Sequence, residues 1–119
     1  MKRIIVILVA LIGFGISVNA QNVVFRFKHD ICAKIDRKTE RITFDKDGTF
    51  KFYRDDVLFA TGLYHYEKNE RKIILKGGQL KRSNDSDLIN FEALLTRVDV
   101  VGGKVTFAYF NSVGYETCQ

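Results

Sequence analysis

The groups in this 119-residue sequence that could do chemistry are two cysteines, two histidines and a few neighbouring carboxylates. A catalytic role for Cys32 or Cys118 would need a thiolate activated by a base such as His29 or His65, with a third residue to orient that base. In an oxidising compartment the same two thiols form a disulfide instead, closing a loop that the chain-entropy model values at about 4–5 kcal/mol. His65 lies between Tyr64 and Tyr66, so on a strand it points outward if the tyrosines point inward. Asp45-x-Asp47-Gly48 invites a calcium reading, but an EF-hand-type loop places its Gly sixth and a Glu twelfth, and here Gly48 is fourth. That segment reads as a hairpin turn. Asp55-Asp56 and Asp85/Asp87 are adjacent in sequence only, and nothing sets either pair across a cleft as an acid/base couple. Asn84-Asp85-Ser86 has the form of a glycosylation sequon, relevant only in a eukaryotic secretory pathway. No set assembles a nucleophile, a base and an oxyanion donor, so the sequence predicts no enzyme, no metal site and no cofactor.

The aromatic residues offer a different chemistry. Nine Phe and five Tyr lie beyond residue 20, enough either to fill a small fold or to line a pocket for an apolar or amphipathic ligand. Candidates for such a lining are Phe52, Phe59, Tyr64, Tyr66 and Phe107. Tyr64 and Tyr66 stand out, because a phenol fixes a ligand's polar end while its ring packs against the rest.

Before those side chains can be placed, the first 20 residues have to be set aside. Lys2 and Arg3 precede an uncharged, mostly apolar run of 15 residues, 4–18, and Val18-Asn19-Ala20 puts small residues at −3 and −1. This is the three-part pattern of a secretory signal peptide, and the run is shorter than the roughly 20 residues of a membrane span. Cleavage after Ala20 leaves one domain, residues 21–119, secreted or periplasmic and without a stable membrane anchor. Loss of Lys2 and Arg3 moves the balance from 19 basic and 14 acidic residues to 17 and 14, a net +3. The densest basic run, residues 34–41, contains Asp36 and Glu40. Clustered cationic surface for nucleic acid is therefore not indicated.

The remaining chain is rich in strand signals, with period-2 alternation of Phe, Tyr, Val, Ile and Thr broken by Gly, Asp and Asn. Residues 23–28 alternate as a strand, continuing or restarting at 31–35. Residues 41–45 and 49–53 flank a type I turn with Gly48 in the left-handed position, which sets Phe44 opposite Phe50 and Ile42 opposite Phe52. Residues 57–66 pair with 73–75, setting Tyr66 opposite Ile73 and Tyr64 opposite Leu75. Gly77-Gly78 ends that strand, and 81–87 is a polar loop. Residues 88–98 fit a helical stripe or a strand, and strand is favoured. A Gly102-Gly103 primed turn then joins 98–101 to 104–110, pairing Val100 with Val105 and Val98 with Phe107. The fold class is all-β: an antiparallel meander forming a small up-and-down barrel or a strongly curved sheet, with a Cys32–Cys118 bridge at the closure.

The run Ile42-Thr43-Phe44-Asp45-Lys46-Asp47-Gly48-Thr49-Phe50, then Gly62-Leu63-Tyr64-His65-Tyr66 and Lys72-Ile73-Ile74-Leu75, resembles the small lipocalin-like domains of secreted bacterial proteins. The match covers about a third of the chain beyond residue 20. It implies a barrel or half-barrel of the binding type. Two functions follow as expectations. One is an exported, non-enzymatic module holding a small apolar or amphipathic ligand. The other is a secreted interaction or inhibitor protein with a filled core, acting on a protein partner through loops such as 76–87. Internal volume separates the two.

Overall fold

The structure, a computed structural model, describes residues 24–80 and 88–119; the expected leader and the 81–87 loop, with Asp85, Asp87 and the sequon, lie outside the described residues. Eight antiparallel strands follow one another round a closed barrel. They are β1 His29–Ile35, β2 Lys38–Phe44, β3 Thr49–Arg54, β4 Val57–Glu67, β5 Lys72–Leu80, β6 Leu88–Val101, β7 Lys104–Phe110 and β8 Val113–Thr117. A short 3-10 turn, Lys68–Glu70, joins β4 to β5. The barrel form of the expected meander is thus the one adopted. No helix of the described residues is long and apolar enough to cross a membrane.

Turn chemistry sets the hairpins. Asp36-Arg37, Asp55-Asp56, Gly102-Gly103 and Asn111-Ser112 all have positive φ at both positions, the requirement of a two-residue primed turn whose twist matches the strands. Asp55 and Asp56 are therefore turn residues, and Asp55 also accepts the Thr39 amide on its carboxylate. At Asp45–Gly48 the Gly48 amide donates to the Asp45 carbonyl, and Gly48 sits at φ +91° as expected.

The expected registers Phe44↔Phe50, Ile42↔Phe52, Tyr66↔Ile73, Tyr64↔Leu75 and Val100↔Val105 are all present. Others differ. Residues 24–28 are not a strand: β1 begins at His29, which already pairs with Phe44, the last residue of β2, so no backbone remains for an earlier strand to pair with. Gly77 and Gly78 do not end β5, which runs on to Leu80 because Gly77 lies against Gly62 of β4. Residues 88–98 are strand throughout. Val98 does not oppose Phe107. A bulge with Arg97 at φ +51° sets Asp99 there instead, and the released Val98 amide donates to the Arg71 carbonyl. The extra residue lets both Leu95 and Val98 face inward.

Closure is held by little backbone. β1 and β8 pair only at Ile31↔Thr117 and Cys32↔Glu116, and the Cys32–Cys118 disulfide spans this seam with a Cα–Cα distance of 5.0 Å. Inside, Ile31, Ile42, Phe44, Phe50, Phe52, Ile73, Leu75, Leu95, Val105 and Tyr115 are almost wholly buried. Outward positions carry Lys34, Lys51, Lys76 and Glu92, the reverse of a lipid-embedded barrel, whose outer band is apolar.

Candidate functional site

The five aromatics expected to line one pocket are divided by the fold. Tyr64 and Tyr66 lie at one end of the barrel, Phe52 and Phe59 toward the other, and Phe107 on the outer wall. Phe107 pairs with Glu116 and sets its ring edge-on to Tyr109, 4.9 Å between centroids. It is therefore withdrawn from the interior set. The same bulge that displaced Val98 changed its pairing.

At the first end, where the 45–48 and 102–103 turns lie, an aromatic cup is built from strands and closed from outside them. Phe44 comes from β2, Tyr64 and Tyr66 from β4, and His29 from the start of β1. Into it drops Phe25, carried on the non-strand segment 24–28, which crosses the barrel end as a strap. The Phe25 ring stacks on Tyr64 at 5.2 Å, lies 5.3 Å from Tyr66, and presents edges to Phe44 at 5.5 Å and His29 at 5.2 Å. Offset and edge-on geometries of this kind are those that aromatic quadrupoles favour.

The Phe25 amide donates to the Tyr64 hydroxyl at 2.8 Å, and that hydroxyl donates to the Asp45 carbonyl at 3.0 Å. Burial raises the phenol pKa of both Tyr64 and Tyr66, so both stay protonated. His29 completes the strap. The Val105 amide donates to Nε2 at 2.9 Å, so Nε2 carries no proton, and Nδ1 donates to the Phe27 carbonyl at 2.8 Å. The ring is thus neutral. Burial lowers its pKa, and Lys104 adds to that lowering against the opposite pull of Asp30.

Toward the opposite end, Phe52 meets the edges of Phe59 at 5.6 Å and of Phe91 and Phe110 at 6.0 Å. Phe59 reaches this cluster because a bulge places two residues of β4 against one step of β3. Above it, the Arg54 guanidinium lies 4.1 Å from the Phe59 centroid, and its Nε donates to Glu40 Oε2 at 2.9 Å. The Tyr115 hydroxyl donates to Glu40 Oε1 at 2.5 Å. Glu40 is only 7% exposed, so its two partners are what make a carboxylate tolerable there. Burial first, then the Glu40 carboxylate, pushes the Tyr115 phenol well above its ordinary range.

Sequence reasoning missed Phe25, Glu40, Arg54 and Tyr115, and considered His29 only as a base for a thiolate rather than as a donor to the Phe27 carbonyl. For Glu40 a signal existed, since the alternation that turns Phe44 and Ile42 inward also turns Glu40 inward, and Arg54 pairs with it across the hairpin. For Phe25 there was none, because its apolar alternation mimics a strand. His65 points outward, with Nε2 3.3 Å from Glu67 Oε2. Asp47 serves the turn: its Oδ1 accepts the Thr49 amide and hydroxyl, which hold its pKa below the usual carboxylate value. Among the described residues no group of three or more His, Cys, Asp or Glu could hold a metal ion. Grooves on the surface include one lined by Lys28, Asp30, Arg41, Lys51 and Tyr53 and one lined by Leu63, Tyr64, His65, Ile74 and Lys76, the latter including one of the five predicted aromatics.

Comparison of the chain with protein-family models, with curated proteins and with solved structures returns no match.

Proposed function

We propose that this chain is an exported, non-enzymatic, lipocalin-like module that recognises a protein partner from its surface and ends rather than taking a ligand along its axis. One observation carries this reading: the aromatics that could have lined a pocket are used against one another, from Phe25 on Tyr64 and Tyr66 to Phe52 on Phe59 and Phe91. Small barrels filled by their own side chains leave no lumen for a ligand. The leader pattern and the Cys32–Cys118 bridge support export.

A small amphipathic ligand is the second reading, favoured by one feature. Phe59, Phe91 and Phe110 are only partly buried, and Arg54 lies over the first of them. A flat apolar group could lie on that surface with an anionic end on the guanidinium. Titration with 1-N-phenylnaphthylamine and co-purification from the native host separate the two. The first reading expects no saturable dye enhancement, a co-purifying protein, and an intact mass lacking residues 1–20 and two hydrogens. Saturable dye binding that Phe59→Ala abolishes would replace it with the second.

A further inference from the structure

Phe25 is bound to its barrel as a ligand would be. Of residues 24–28 it alone is buried, 3% exposed, while Val24, Arg26, Phe27 and Lys28 are all exposed. Among the described residues the strap adds no strand pairing, and its anchors include a ring, one N–H and one carbonyl. The ring fills the cup. The Phe25 N–H lies on the Tyr64 hydroxyl, and two residues on the Phe27 carbonyl accepts from His29 Nδ1. Lys104 Nζ stands 5.4 Å over the Phe27 ring.

The receiving groups do not depend on the strap. Phe44, Tyr64 and Tyr66 sit on paired strands, the Tyr64 hydroxyl is held by the Asp45 carbonyl, and His29 is fixed through Nε2 by the Val105 amide. None of these restraints comes from residues 24–28, so they would still hold the cup, its phenolic acceptor and its imidazole donor if the strap lifted away. That is a preorganised peptide site, with its occupant tethered to the same chain.

Resting on the interaction reading above, we infer that this cup is the recognition site for an aromatic residue of a partner polypeptide, which displaces Phe25. The geometry specifies the partner's chemistry. A ring enters the cup, the main-chain N–H of that residue donates to Tyr64, the carbonyl two residues later accepts from His29, and a second ring there meets Lys104. An aromatic-x-aromatic segment satisfies all four.

The probe is acetyl-Phe-Ala-Phe-amide, with acetyl-Leu-Ala-Leu-amide as its control, titrated by NMR against the disulfide-bonded protein. In wild type the aromatic peptide shifts the amide signals of Phe25 and Phe27 as the strap leaves, and the aliphatic peptide does so at least about tenfold more weakly. Phe25→Ala removes the competing occupant and tightens the aromatic peptide by at least about tenfold, since apparent affinity scales with the fraction of open sites. Adding Tyr64→Phe to that variant removes the hydrogen-bond acceptor and weakens binding by about five- to tenfold. Equal affinities for wild type and Phe25→Ala, or equal affinities for the two peptides, would overturn the inference. Should Phe25→Ala not fold, the wild-type strap shifts decide, and their absence at saturating peptide overturns it. A captured host partner whose affinity Phe25→Ala leaves unchanged overturns this site alone. A host preparation with no protein partner overturns the interaction reading, and the peptide titration still decides the cup.

Discussion

Replacing Gly62 with Ala tests how closely β4 and β5 approach at the Gly62↔Gly77 pair. A Cβ on Gly62 would stand 2.1 Å from the Lys76 carbonyl oxygen and 2.5 Å from the Gly77 Cα, where even close C···O contacts between strands run to about 3.3 Å. The obstructing atoms are backbone, so no side chain can swing aside, and the strands must part by roughly 1 Å. The Phe50 and Phe91 rings, which pair with these glycines from the flanking strands and lie 6.0 Å apart, would be forced out of contact as well. Strain of about 1–3 kcal/mol from overpacking adds to about 1 kcal/mol for each of one or two ladder bonds stretched. The total is roughly 2–5 kcal/mol, which in a domain of this size lowers Tm by about 10–30 °C. Gly102→Ala is the control: at φ +63° with nothing within 4 Å, it costs only the left-handed backbone, about 1 kcal/mol. Differential scanning calorimetry of the two variants gives the answer. A Gly62→Ala Tm within a few degrees of Gly102→Ala would refute the close approach.

Three other perturbations address separate parts of the structure. Cys32→Ser/Cys118→Ser removes the clasp from a seam of two paired residues and should cost about 2–5 kcal/mol in denaturant unfolding, with hydrogen exchange accelerated first in β1 and β8. Tyr115→Phe strands Glu40 Oε1 in the interior and should destabilise by about 1–3 kcal/mol, whereas Phe59→Leu, which trims a partly buried ring beneath Arg54, should cost less. His29 is held neutral with a lowered pKa, so its contribution is complete above about pH 6.5 and declines as pH falls through that value, because the unfolded state then binds the proton first. Urea midpoints measured between pH 7.5 and 5.5 should fall in wild type and flatten in His29→Gln; parallel profiles would contradict the assigned tautomer.

What could be read from the sequence was what period-2 alternation and turn residues determine locally. The hairpin around Gly48 places four apolar side chains on one face in only one register, so Phe44↔Phe50 and Ile42↔Phe52 followed from pattern alone. The β7–β8 hairpin at Asn111-Ser112 was not read, and Gly102-Gly103 located the β6–β7 hairpin by its turn residues, but only as far as Val100↔Val105. Beyond it the Arg97 bulge, anchored by a distant Arg71 carbonyl, shifted Val98 and Phe107, and no local signal marks a bulge held by another hairpin's turn. The candidate site was half legible. Tyr64 was named for the right property, an apolar ring with a hydroxyl that fixes a polar group, yet that group is the amide of Phe25, and Tyr66 contributes only its ring. Residues 24–28 alternate like a strand but have no neighbour to pair with, which only the closed topology reveals.

Native mass spectrometry of the protein isolated gently from its own host distinguishes a partner-bound module from a ligand carrier. A disulfide-bonded chain carrying a protein partner, and no small apolar molecule, is the expected spectrum. A stoichiometric small apolar ligand retained by the isolated barrel, with no protein bound, would contradict the interaction reading.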